Sequence, residues 1–282
     1  MRATVIVLLG VFAGCGGNAG DRLVVGSKNF TEQRILGELI AQTAESIGMR
    51  VQRRLDLGGT FVCDAALRAG QIDAYVEYTG TALTAVLKQP PDGNPAAVLA
   101  RVRAAYEPAG LVWTAPLGFD NTFALVVRGD DAVPTISEAV SKAAGWKAAF
   151  GYEFKERADG YPGLAKTYGL AFREIRIMDL GLLYRALVER QVDVVAGNAT
   201  DGVIEHLGLR VLADDKHYFP PYEAAPIVRR AALDRFPALG KALDALGGTL
   251  TESTMRRLNF AVDGEHEDPS AVVRDWRARA TQ

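Results

Sequence analysis

Short apolar runs of strand length alternate with stretches whose apolar residues recur at helical intervals. Leu23-Val24-Val25-Gly26 is the first such run, and after polar Ser27-Lys28-Asn29-Phe30-Thr31-Glu32 come Ile35, Leu36, Leu39, Ile40 and Ile47 with helical spacing. Asn29 as N-cap with Glu32 three residues on predicts a capping box, which puts Lys28 and the free N–H groups of a helix start at one strand-to-helix joint. Val51 to Leu57 predicts a second strand, Phe61 to Ala69 a helix ending at Gly70, and Asp73 to Tyr78 a third strand. That strand runs straight into Thr79-Gly80-Thr81, a hydroxyl-rich helix start. In an open α/β sheet ligands bind beyond the carboxyl ends of strands, so Tyr78 stands where chemistry collects. A loop at 89–95, with three prolines, precedes a helix from Ala96 to Tyr106.

After Leu111-Val112-Trp113 and the strand formers Phe123 to Val127, the turn-rich Arg128-Gly129-Asp130-Asp131 predicts a crossing between domains. A second series follows: a strand at Ala148 to Phe150, a helix to Tyr168, a strand near Ile175 to Met178 and a helix from Leu182 to Arg190. Its last strand carries an internal echo. At a fixed offset of 120 residues Leu187 falls on Leu67, Gln191 on Gln71 and Asp193 on Asp73, while Asn198 falls on Tyr78. Gly26-Ser27-Lys28 and Gly151-Tyr152-Glu153 would be the corresponding first-strand ends. Two similar βαβ domains sharing a cleft account for one local echo better than a solenoid does. The proline-bearing return through Phe219-Pro220-Pro221-Tyr222 predicts a second, extended crossing. The expected division is 22–124 with 225–282 as a discontinuous first domain and 125–224 as the second, joined by a two-strand hinge.

Composition supports a globular chain and narrows the partners. Of 282 residues 49% are hydrophobic and 23% charged, and a net charge of -2 offers no surface for a polyanion, so nucleic acid is not an expected partner. Residues 1–14 carry Arg2 and an apolar run from Val5 to Phe12, too short to span a bilayer, and end Phe12-Ala13-Gly14 before Cys15. This looks like a bacterial lipoprotein signal, with lipidated Cys15 at the mature N-terminus, 15–21 as a flexible tether, and Phe12 departing from the usual aliphatic residue. Cys63 is then left without a partner, which excludes a disulfide framework and suggests a buried thiol.

No nucleophile elbow, Walker loop, dinucleotide fingerprint or metal-ligand spacing occurs, and His206, His217 and His266 lie far apart, so no enzyme chemistry and no cofactor are expected. What the chain does offer is Tyr78, Phe123 and Tyr222 at strand ends and crossings, with Lys28 and Arg157. Aromatic faces attract cations that cannot be hydrogen-bonded, and the two cations suit a carboxylate. A zwitterion fits both halves.

Ser27-Lys28-Asn29-Phe30-Thr31-Glu32, Glu77-Tyr78-Thr79-Gly80-Thr81, Asn121-Thr122-Phe123, Arg157-Ala158-Asp159-Gly160, Thr200-Asp201-Gly202 and Phe219-Pro220-Pro221-Tyr222 together resemble the osmoprotectant (glycine betaine, choline, carnitine) substrate-binding proteins of ABC importers, from about Leu23 to Trp276. The resemblance implies a two-lobed type II periplasmic binding protein fold that closes on a trimethylammonium group. Carried over by motif, Tyr78, Phe123 and Tyr222 would wall the cage, Lys28, Thr81 and Arg157 would take the ligand's carboxylate, and Asn121 would line the cleft. The fourth wall, usually Tyr, falls on Asn198. The expected protein is therefore a monomeric, lipid-anchored, extracytoplasmic partner of an ABC membrane subunit, holding glycine betaine, choline or carnitine. A different betaine-like ligand such as ergothioneine is the alternative, ahead of an enzyme or a sensor on the same scaffold.

Overall fold

A computed structural model describes residues 22–280; the expected signal segment, Cys15 and the expected tether lie outside the described residues. The first half of the chain forms strand β1 (Arg22–Lys28), helix α1 (Thr31–Ser46), β2 (Arg50–Gly58), α2 (Thr60–Arg68), β3 (Ala74–Tyr78), α3 (Thr79–Thr81), α4 (Pro95–Tyr106) and β4 (Leu111–Trp113). A wider π-turn segment, Ala82–Val86, continues α3. The second series is β5 (Phe123–Arg128), α5 (Ile136–Ala143), β6 (Lys147–Phe150), α6 (Tyr152–Glu156), α7 (Tyr161–Tyr168), β7 (Glu174–Ile177), α8 (Leu180–Val188), β8 (Val194–Asn198), α9 (Val203–His206) and β9 (Leu209–Val211). Strand β10 (Ala224–Arg229) and helices α10 (Arg230–Arg235), α11 (Pro237–Asp244), α12 (Glu252–Asp263) and α13 (Pro269–Ala280) complete the described chain.

Two five-stranded sheets result, in the orders β2-β1-β3-β10-β4 and β7-β6-β8-β5-β9. Each carries apolar clusters on both faces, as a mostly parallel sheet covered by helices requires. Helices α11, α12 and α13 pack on α1, so the C-terminal tail belongs to the first lobe.

The chain leaves the first sheet after Trp113 and enters the second at Phe123, returning between Val211 and Ala224. The crossing, expected at Arg128 to Asp131, lies instead before Phe123, because β5 is already paired in the second sheet and Arg128 to Asp131 only turns at its far end. The capping box also yields. Asn29 N–H donates to Gly58 O at 3.1 Å and so prolongs the β1–β2 pairing, and α1 starts two residues later with Phe30 as N-cap and no side-chain cap. Glu32 is thereby released for other work.

The two sheets repeat each other in detail. Asp73 Oδ2 accepts Val24 N–H in the first lobe, and Asp193 Oδ2 accepts Lys147 N–H in the second, both at 2.9 Å. The antiparallel ladders match as well, Tyr78 standing opposite Ala224 and Asn198 opposite Phe123. The first-strand ends do not correspond so closely, for β1 runs on through Lys28 whereas β6 stops at Phe150, before Gly151. Among the described residues no helix is long and apolar enough to cross a membrane.

Candidate ligand-binding site

Strand β3 is buried along its whole length yet carries Glu77, a charge that needs a partner there. Lys28, at the end of neighbouring β1, supplies it: the Nζ–Oε1 distance is 2.5 Å and both side chains are buried. Tyr78 N–H and the Tyr75 hydroxyl also donate to Glu77. Burial pushes the Glu77 carboxyl up and the Lys28 ammonium opposes that. The same ammonium lies 4.9 Å from the centre of the Tyr78 ring.

From the second lobe Arg157 makes a matching construction. Its Nε and Nη2 fork onto Asp159, and Nη2 also donates to Thr81 Oγ1 of the first lobe at 3.2 Å. Burial raises the Asp159 carboxyl, but the guanidinium outweighs it and holds the group below the usual carboxylate range. Asp159 Oδ2 accepts the hydroxyls of Thr84 and Tyr222. Arg157 stands 5.1 Å from the centre of Phe123, whose ring meets Tyr222 edge-on at 5.7 Å. Gly80 lets the second crossing lie this close, since a Cβ there would sit 2.5 Å from Pro221 O and 2.9 Å from the Tyr222 ring.

All eight predicted ligand-site residues therefore meet at the junction of the lobes. Lys28 touches Tyr78, Asn121 Nδ2 reaches the Tyr78 hydroxyl at 3.5 Å, Arg157 joins Thr81 to Phe123, and Asn198 faces Phe123 across the ladder. A groove of about 560 Å³ beside both crossings shares Phe123 with this group and is also lined by Asp120, Ala199, Asp214 and Phe219.

Sequence reasoning missed the hub of the junction, Glu32. Its Oε1 accepts the Tyr78 hydroxyl at 2.6 Å and Asn121 Nδ2 at 2.7 Å, while Oε2 accepts Thr200 Oγ1 at 2.5 Å and Asn259 Nδ2 at 3.1 Å. Burial raises its carboxyl above the ordinary value, against the pull of the Thr200, Tyr78 and Asn259 bonds. The sequence shows only three polar residues, Thr31-Glu32-Gln33, at the helix start, and their burial is evident from the structure alone. Next to Glu32, Gln33 is fully buried with its amide beside the Tyr78 hydroxyl, and Asn121 Oδ1 is unpartnered among the described residues.

Residues 21–279 match the family described as the substrate binding domain of the ABC-type glycine betaine transport system. The chain belongs to this family. It is similar to a glycine-betaine-binding protein of Pseudomonas aeruginosa, 37% identical over 98% of this chain and 93% of that one. It is 32% identical to an ergothioneine transport permease/ergothioneine binding protein, EgtU, of Helicobacter pylori, over 91% of this chain but 47% of that longer protein. Among solved structures, that of a glycine betaine/carnitine/choline ABC transporter superposes with a TM-score of 0.76 at 28% identity, covering 91% of this chain and 98% of the other. The family's two-lobed type II periplasmic binding protein architecture is the one described above, and the protein is a substrate-binding protein of this transport family.

Proposed function

We propose that the protein captures a quaternary-ammonium zwitterion between its lobes and presents it to the membrane subunit of an ABC importer. The observation that carries this reading is the use already made of the aromatic faces: a protein cation sits over Tyr78 and another over Phe123, so these rings already act on positive charge. Each ring contributes about 0.5 to 2 kcal/mol to a cation on its face. The surrounding charge favours the same class of ligand, because Glu32, Glu77 and Asp159 outnumber Lys28 and Arg157 at the junction. Glu77 takes one of the three N–H donors of Lys28, which leaves others for a ligand carboxylate beside Thr81 and Arg157. The similar Pseudomonas protein, named for glycine betaine, supports the assignment.

A second reading has its own support. Asn198 occupies the place of a fourth ring, and the unpartnered Asn121 Oδ1 suits a ligand with more polar atoms, such as carnitine or ergothioneine. Calorimetric titration with glycine betaine, choline, carnitine and ergothioneine separates the two. Tightest binding of glycine betaine is expected. Preference for carnitine or ergothioneine selects the second reading, and no saturable binding of any of the four removes both. The proposed location is extracytoplasmic, as a monomer held at the membrane by a lipid on Cys15, and Cys15→Ala should move the protein from the membrane fraction to the soluble one.

A further inference from the structure

The turn Thr200-Asp201-Gly202 follows β8 in the second lobe. Inside its own lobe, Asp201 Oδ2 accepts the Tyr184 hydroxyl at 2.5 Å and Asn198 N–H at 2.9 Å, which fixes the shape of the turn. Across the junction, Thr200 Oγ1 donates to Glu32 Oε2, and Asn259 Nδ2, on α12 of the first lobe, donates to both Glu32 Oε2 and Thr200 O. Arg256 Nε, on the same helix, donates to Ala199 O at 3.1 Å. Gly202 completes the fit. A Cβ there would lie 2.4 Å from Arg256 O and 2.6 Å from Phe260 N, both backbone atoms of α12.

We propose that Thr200-Asp201-Gly202 is an interlobe clasp, seated on Glu32 and α12, that ties closure of the lobes to the position of Tyr78. The link runs through one carboxylate. Glu32 Oε2 holds the clasp while Oε1 holds the Tyr78 hydroxyl and Asn121, so the aromatic wall is fixed by the same group that receives the second lobe. Thr200, Gly202 and Asn259 are positioning residues on this account. They act by stabilising the closed arrangement. The part of the proposal that concerns Tyr78 as a cage wall rests on the function proposed above.

Two kinds of variant test it. Thr200→Val keeps the shape and removes the donor, with Thr200→Ser as the conservative rescue; Gly202→Ala places a methyl group between the lobes, its three nearest neighbours all lying on α12. Thr200→Val and Gly202→Ala should each weaken glycine betaine by about tenfold, chiefly through faster dissociation, and Thr200→Ser should stay within about twofold of the wild type. Spin labels on exposed Ala96→Cys and Ser141→Cys, one per lobe, should report a wider distance distribution in Thr200→Val and Gly202→Ala with or without added glycine betaine; Cys63 is buried and does not interfere. Unchanged distributions in both variants overturn the clasp, as does a Thr200→Ser variant as impaired as Thr200→Val. If the wild type binds no glycine betaine, the functional reading fails and the label distances still decide the clasp.

Discussion

Burial pushes both Glu32 and Glu77 up, and each is opposed differently, Glu32 by four neutral donors and Glu77 by the Lys28 ammonium. These two acids make the junction selective in different ways, one by positioning hydroxyls and amides and the other by compensating a buried cation. Under the proposed function, Asn198 is the residue that distinguishes one ligand from another. Loss of one ring from a cage costs about 1 kcal/mol, roughly fivefold in affinity. Asn198→Tyr should therefore tighten glycine betaine by about that factor in calorimetry, and an unchanged or weaker constant would favour a ligand that uses the Asn198 amide. Tyr78, Phe123, Tyr222, Lys28 and Arg157 were legible beforehand because strand ends and prolines mark where a shared cleft must lie. Glu32 was not, since its spacing from Asn29 also satisfies a local cap and nothing in the nearby sequence says that Thr200 and Asn259 will arrive from far along the chain. Cys63 behaves as its sequence context suggested: burial in α2 pushes its thiol up to about 12, which leaves it unreactive.

At the level of elements, α2 and α8 end in the same way with different residues. Gly70 N–H donates to Leu67 O and Gln71 N–H to Ala66 O; Arg190 N–H donates to Leu187 O and Gln191 N–H to Ala186 O. Both closures need a left-handed residue, and φ is +71° at Gly70 and +57° at Arg190. Glycine adopts that conformation without strain, while a residue with a Cβ is disfavoured by about 1 to 2 kcal/mol. The exposed Arg190–Asp130 ion pair returns little of this. Arg190→Gly should then stabilise the protein by roughly 0.5 kcal/mol after the added freedom of the unfolded chain is subtracted, read as a higher urea midpoint at unchanged slope. A lower midpoint would mean that the ion pair outweighs the strain. The internal echo of 120 residues foretold this correspondence, since Gln71 and Gln191 occupy the same place after each turn. The start of α1 was misplaced because the β1–β2 ladder, a contact between distant segments, took the Asn29 N–H that a local cap would have left free.

Considered whole, the molecule concentrates unusual acids where its lobes join. Burial pushes Asp120, at the first crossing, up to about 6, against the Tyr222 N–H bond to its Oδ1, with Glu252 and Glu223 adding to the rise. Asp201 is likewise raised to about 6, mainly by burial. A carboxyl whose folded value is raised contributes stability that is present below about pH 4 and is lost as pH rises through about 6. Asp120→Asn can still accept Tyr222 N–H and lacks the titration. Relative to the wild type it should thus gain stability between pH 4 and pH 7, seen as diverging denaturation midpoints; parallel profiles would remove Asp120 from this role. The two-domain plan was visible in the sequence through Asp73 and Asp193, but the crossing was set too late because Phe123 to Val127 has the same apolar character whichever sheet receives it.

The matched ladders have one more consequence. If Tyr78 corresponds to Asn198, then by the same register Tyr222, two residues before Ala224, corresponds to Asn121, two residues before Phe123. At both of these related places the residue on or entering the first sheet is aromatic, and its counterpart on or entering the second is an amide. Two halves built on one plan would, with identical linings, accept a guest either way round with equal energy. Here the reversal would bring a ring to where an amide was and an amide to where a ring was, twice over, so the proposed ligand, with its unlike ends, would have one favoured heading.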